Sequence, residues 1–194
     1  PGLWEKYVNA LSDKYGMQIK DIRFRGKDRS WRKYDFVISD ADSSVVTPHH
    51  KDPYMLLFLQ DMTLRPSCYR CPFRQGGSGS DLTMADLWNV AETAPEMDDD
   101  KGVSLIVVNT VKGKEAIAGM MVKEIDSLLA FKRNGAFAHA LEVPQRRDEF
   151  FQGLHSAKDL IRYMKGFVVK TPRYKKIYLS VRTMLSKIKR RIMR

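Results

Sequence analysis

At 194 residues and a net charge of +11, the chain has room for one domain with a real core plus a helical appendage, and is too short for two enzymatic domains. No apolar run approaches membrane-spanning length and no signal-peptide pattern opens the sequence, which predicts a soluble, cytoplasmic protein. The distribution of charge does not indicate a basic nucleic-acid-binding body. Twelve of the 34 Lys and Arg residues, and none of the 23 Asp and Glu, lie beyond Asp159, leaving residues 1–159 at a formal charge of −1. A near-neutral body, 1–159, and a basic tail, 160–194, are the expected domains.

In chain order, Trp4, Tyr7, Val8, Leu11 and Tyr15 share a helical face and Gly16 supplies a stop, which predicts a packing helix over 2–16. Strands are expected in 17–26 and in 35–40. His49 and His50 fall in a polar loop and read as solvated. Asp52-Pro53 then opens a short buried helix over 52–63 that delivers the chain to Cys68.

Cys68 and Cys71 are the only two cysteines, spaced C-x-x-C. That spacing lets two thiols share one metal or cluster iron, or close a small redox disulfide. Tetrahedral zinc and a [4Fe–4S] cube each need about four protein ligands, so the pair is an incomplete site. The alternative is two small apolar residues at a turn. The G-G-S-G-S stretch at 76–80 reads as a flexible connector, or as a lid that orders on a cofactor.

Asp81 and Asp86 stand five apart in an extended segment, on opposite faces. They are expected as a turn residue and a helix N-cap rather than as a paired-carboxylate site. Trp88 either stacks on a cofactor ring or packs. Residues 103–110, V-S-L-I-V-V-N-T, form the strongest strand signal, of the kind buried on both faces. Residues 112–121 read as a helix, and 122–131 as more helix or as a strand followed by a helix. His139 is expected to pack as a structural histidine. A helix from about Gln145 carries Arg146, Arg147, Phe150 and Phe151. Strands and helices mix without a βαβ repeat, which predicts an α+β fold with a mixed sheet and packed helices.

The tail places Ile177, Val181, Met184, Leu185, Ile188 and Ile192 on one stripe of a basic amphipathic helix. Such a helix suits an anionic membrane surface first, then an acidic partner, then nonspecific nucleic acid. An ordinary packing helix is the alternative.

Several motifs occur together and in order: L-R-P-S-C-Y-R-C-P-F, S-D-L-T-M-A-D-L-W-N and D-D-K-G-V-S-L-I-V-V-N-T-V-K-G, flanked by P-G-L-W-E-K-Y and P-Q-R-R-D-E-F-F. Most of residues 1–155 thereby resembles the C-terminal domain of the coenzyme F420 hydrogenase/dehydrogenase beta-subunit family. Asp81, Thr83, Asp86, Trp88, Gly102, Ser104, Asn109, Thr110 and Gly113 match its pattern, whereas Ala85 and Asn89 stand where it has glycine. The resemblance implies electron transfer between coenzyme F420 or a related donor, a flavin (FAD) and a [4Fe–4S] cluster. Cys68 and Cys71 would be two of the cluster thiolates, and Asp81, Thr83, Asp86, Trp88, Ser104 and Arg147 would face cofactors.

Further cysteines and the flavin-binding portion are expected upstream of residue 1, in the same protein or in a redox partner subunit, with this chain inactive alone. Departures at Ala85 and Asn89 support a second expectation. In it the fold persists as a non-catalytic or peripheral-membrane module in surface-polysaccharide biosynthesis, at the inner membrane face.

Overall fold

The computed structural model describes residues 2–74, 77–132 and 134–170, so the amphipathic stripe expected at 177–192 lies outside the described residues. Helix α1, Gly2–Tyr15, buries Tyr7 and Leu11, and Gly16 ends it at φ +62°. Three antiparallel strands follow in the order β1 (Asp21–Gly26), β2 (Asp35–Ser39) and β3 (Ser44–Pro48). The turn from β2 to β3 is fixed by Asp40, whose carboxylate accepts the backbone N–H groups of Asp42 at 2.9 Å and Ser43 at 2.7 Å. Those two donors hold the Asp40 carboxyl below its ordinary range.

Helix α2, Pro53–Leu59, starts where Asp52 accepts the Met55 N–H at 2.9 Å, with Pro53 in the first helical position. Tyr7, Phe36, Ile38 and Leu57 form the heart of a large core. Two late helices close it: α7, Arg147–Gly153, supplies Phe150, and α8, Leu160–Phe167, supplies Met164 and Phe167.

A second, smaller unit lies between. Strands β4 (Leu82–Asp86) and β5 (Ser104–Val108) pair antiparallel from Asp86↔Ser104 to Leu82↔Val108. Short helices α3 (Val90–Thr93) and α5 (Ser127–Phe131) cover one side, with Leu87, Val90, Ala94, Leu105 and Ala130 as the core. Between β5 and α5 runs α4, Val111–Ala116, and α6, Gly135–Ala138, follows α5.

The chain is α+β, with its strands divided between two antiparallel sheets. β5 corrects the expectation of a strand buried on both faces. Among the described residues it pairs only with β4, in a two-stranded sheet, so Leu105 is buried while Val108 remains 41% exposed. The helix expected over 112–121 stops at Ala116, and Gly119 at φ +85° follows, leaving Met120 and Met121 exposed. Over 122–131 only α5 forms, with Asp126 accepting the Leu129 N–H at 2.9 Å. Among the described residues no helix is long and apolar enough to cross a membrane.

Candidate functional site

The expected site residues fall into three clusters. The first is the thiol turn. A 3₁₀ turn over Pro66–Arg70 carries Cys68, and Cys71 follows directly, both free and half-buried. Tyr69, between them, is buried, and its hydroxyl donates to the Asp61 carbonyl. Arg147 of α7 donates from Nε to the Tyr69 hydroxyl at 3.1 Å and from Nη2 to the Leu64 carbonyl at 2.9 Å. Its guanidinium also lies 4.5 Å from the Phe151 ring. Arg74 donates to the Cys71 carbonyl at 2.8 Å. Among the described residues no group of three or more His, Cys, Asp or Glu is placed to hold a metal.

The second cluster is a polar latch at the start of β4. The Thr110 hydroxyl donates to the Asp81 carboxylate at 2.6 Å and accepts the Gly113 N–H at 3.1 Å, capping α4. Asn109 donates from its side chain to Ser80 O and to the Thr83 hydroxyl, each at 3.0 Å, and from its backbone to Asp81 O at 2.9 Å. Gly113 packs so closely that a Cβ would collide with the Asp81 carbonyl. Contact alone thus accounts for five matched motif positions, Asp81, Thr83, Asn109, Thr110 and Gly113: the D-x-T and N-T-x-K-G segments clip together.

The third cluster sits about 16 Å away, at the other end of β4, since an extended chain advances roughly 3.3 Å per residue. Asp86 accepts from Arg25 Nη1 at 2.9 Å, with Ser104 opposite it in register and exposed. Trp88 stacks on Trp31 with ring centres 4.8 Å apart, and the Arg25 guanidinium lies 5.0–5.5 Å from the rings of Trp31, Tyr34 and Trp88. Gly102, at φ +97°, lets the backbone approach Trp31, where a Cβ would press to 3.2 Å from the ring. Trp31 is fully enclosed, whereas Trp88 is 45% exposed and presents ring to solvent. Arg25 Nε and Nη2 and Trp31 Nε1 are buried without a hydrogen-bond partner among the described residues.

Several expectations change here. Asp86 is a strand end paired with Arg25, not a helix N-cap, because α3 begins only at Val90. His49 is not simply solvated. It stacks on Tyr34 at 4.1 Å, and its Nδ1 meets the Tyr34 carbonyl at 2.8 Å. His139, expected to pack, is exposed. Asn89 is buried and donates to the Leu129 carbonyl at 2.6 Å, tying α3 to α5. The position where the pattern has glycine thus has its own packing role in this chain.

Arg25, Trp31 and Tyr69 contact the expected site residues and are absent from the sequence-based expectation. Tyr69 alone carried a signal, its place between the cysteines. Neither a curated protein nor a solved structure matches the chain. Residues 4–128 match the family described as the C terminus of the coenzyme F420 hydrogenase/dehydrogenase beta subunit, a span that takes in both cysteines and both ends of β4. The chain therefore belongs to the coenzyme F420 hydrogenase/dehydrogenase beta-subunit family, as an oxidoreductase-associated C-terminal domain.

Proposed function

We propose that this domain serves electron transfer between coenzyme F420 or a related donor, a flavin (FAD) and a [4Fe–4S] cluster. The observation that carries the reading is the pair of free thiols held on an anchored turn inside a chain of this family. Thiolates suit iron, and the two present are half the usual set, so the cysteines fit the group as partial ligands. The remaining ligands would come from upstream sequence or from a redox partner subunit. When bound, the cluster supplies one-electron storage. The chain's own residues supply position and exclusion of water.

The Arg25–Trp31–Trp88 cluster supports a flavin-facing surface, because Trp88 is partly exposed, stacks on Trp31 and shares the Arg25 guanidinium with the Asp86 carboxylate. Asp81 and Thr83 hold the end of the connector, at Ser80, against Asn109, and so set where the 77–80 segment enters β4. Arg147 is committed to Tyr69 and Leu64, and its part is to hold the thiol turn.

Anaerobic iron, sulfide and flavin analysis with a visible spectrum tests this, on protein carrying all the sequence its gene encodes and on its Cys68→Ser/Cys71→Ser variant. A broad iron–sulfur absorption lost in the variant is expected. Protein without iron, sulfide and flavin overturns the redox reading. It would favour the second one, a non-catalytic module of surface-polysaccharide biosynthesis at the membrane face. That reading is supported by Asn89, which stands in a glycine position and serves packing.

A further inference from the structure

The support of the thiol turn is more elaborate than a two-cysteine turn needs. Tyr69 separates Cys68 from Cys71, and its buried hydroxyl is held from two sides, by Asp61 at the end of α2 and by Arg147 on α7. Asp61 adopts φ +62°, an uncommon conformation for a residue other than glycine. That geometry ends the helix through Asp61 N–H to Phe58 O at 3.0 Å and Met62 N–H to Leu57 O at 2.9 Å. Both anchoring helices are seated in the large core, through Leu57 and Phe150. Arg147 adds a second tie to the approach, at the Leu64 carbonyl. A side chain pinned at its far end fixes the backbone that carries it, and here that backbone carries a thiol on either side.

We propose that Arg147 is a positioning residue which, through Tyr69, sets the Cys68 and Cys71 sulfurs to converge on one thiophilic centre. The proposal deepens the reading of this pair as ligands and rests on it, but it concerns the geometry of the thiols and not the identity of the group they hold. A planar guanidinium that donates along two directions at once does this where a lysine ammonium does not.

Phenylarsine oxide is the probe. Its arsenic(III) exchanges its oxygen for two sulfurs, both thiol protons leave with that oxygen as one water, and no atom changes oxidation state. Tight capture therefore reports convergence. In the 194-residue chain, Arg147→Ala should weaken phenylarsine oxide binding about tenfold or more, the scale of losing a charge-assisted hydrogen bond. Arg147→Lys should recover only part of the loss, and Tyr69→Phe should fall between it and the parent. Alkylation of each thiol singly by iodoacetamide should stay within about twofold of the parent, because one-thiol chemistry does not need convergence.

Parent-like arsenical binding by a folded Arg147→Ala chain overturns the proposal. So does a faster alkylation of both thiols in step with weaker binding, which would mean that the turn has merely unfolded. Where Arg147→Ala does not fold, Tyr69→Phe decides, since it removes only the hydroxyl: parent-like binding overturns the clamp and weakened binding supports it. A protein that captures the arsenical in a clamp-dependent way yet carries no iron supports the clamp and separately overturns the cluster reading.

Discussion

The two units of the chain are held together by different means. Around β1–β3, α1, α2, α7 and α8, thirteen buried side chains among the described residues make one core, many of them aromatic. Around β4 and β5 the corresponding core has five, two of them alanines. A two-stranded sheet is marginal by itself. This one is supplemented by polar clips at both ends, Thr110 and Asn109 on Asp81 at one and Arg25 on Asp86 at the other. Most of the matched motif residues lie in the small unit. The large unit anchors the thiol turn through α2 and α7, and the small one holds the D-x-T and N-T-x-K-G motifs.

If the difference is one of core size, cavity mutations should separate the units. Phe150, fully buried, touches Phe151, Tyr163 and Phe167. Phe150→Ala should cost about 3–5 kcal/mol in urea unfolding, the full transfer and cavity cost in a core that cannot collapse. Leu87→Ala, in the small core, should cost about 2 kcal/mol, the low end for such a change, because lightly packed neighbours relax into the space. Equal losses at the two sites would break the distinction.

A milder change sharpens it. Gly113→Ala places a methyl against the Asp81 carbonyl, so the latch must open or the backbone must shift, at a cost of about 1–3 kcal/mol. Native-state hydrogen exchange should show the Asn109 N–H, which donates to Asp81 O, losing protection, while Ile38 in the large sheet keeps its own. Loss of protection at both would mean that the units unfold as one.

What the sequence made legible was local. α1 and α2 announce themselves by periodicity, by Gly16 and by Asp52-Pro53, all within a few residues of the helix they delimit. β3 did not, because it is five residues ending on Pro48, and its pairing depends on the Asp40 turn rather than on its own pattern. β5 was recognised as a strand but misjudged in burial, since an apolar run does not reveal how many neighbours will cover it. In the site, the cysteine pair was evident from spacing. The side-chain clips were not, because Arg147 meets Tyr69 under the thiol turn across 78 positions and Arg25 meets Asp86 at the end of β4 across 61. Side-chain clips between distant segments leave no periodicity to read.

The smallest expected effect concerns a buried charge in the large unit. Asp52 accepts from the Tyr7 hydroxyl at 2.6 Å and from the Met55 N–H, and burial pushes its carboxyl above the ordinary value of 3.8 despite both donors. A raised folded value means that the folded state holds this proton more tightly than the unfolded chain does. The contribution to stability is then fully present below the unfolded pKa and is lost as pH rises through the folded one. Asp52→Asn keeps a carbonyl oxygen to cap α2 and cannot ionise. Urea midpoints measured from about pH 3 to 7 should therefore fall more steeply for the parent than for the variant over that window. A parent that instead gains on the variant as pH rises would show that Tyr7 and Met55 stabilise the carboxylate by more than its burial costs. Even the large unit would then depend on polar contacts at the start of α2, and its contrast with the latch-held sheet would narrow.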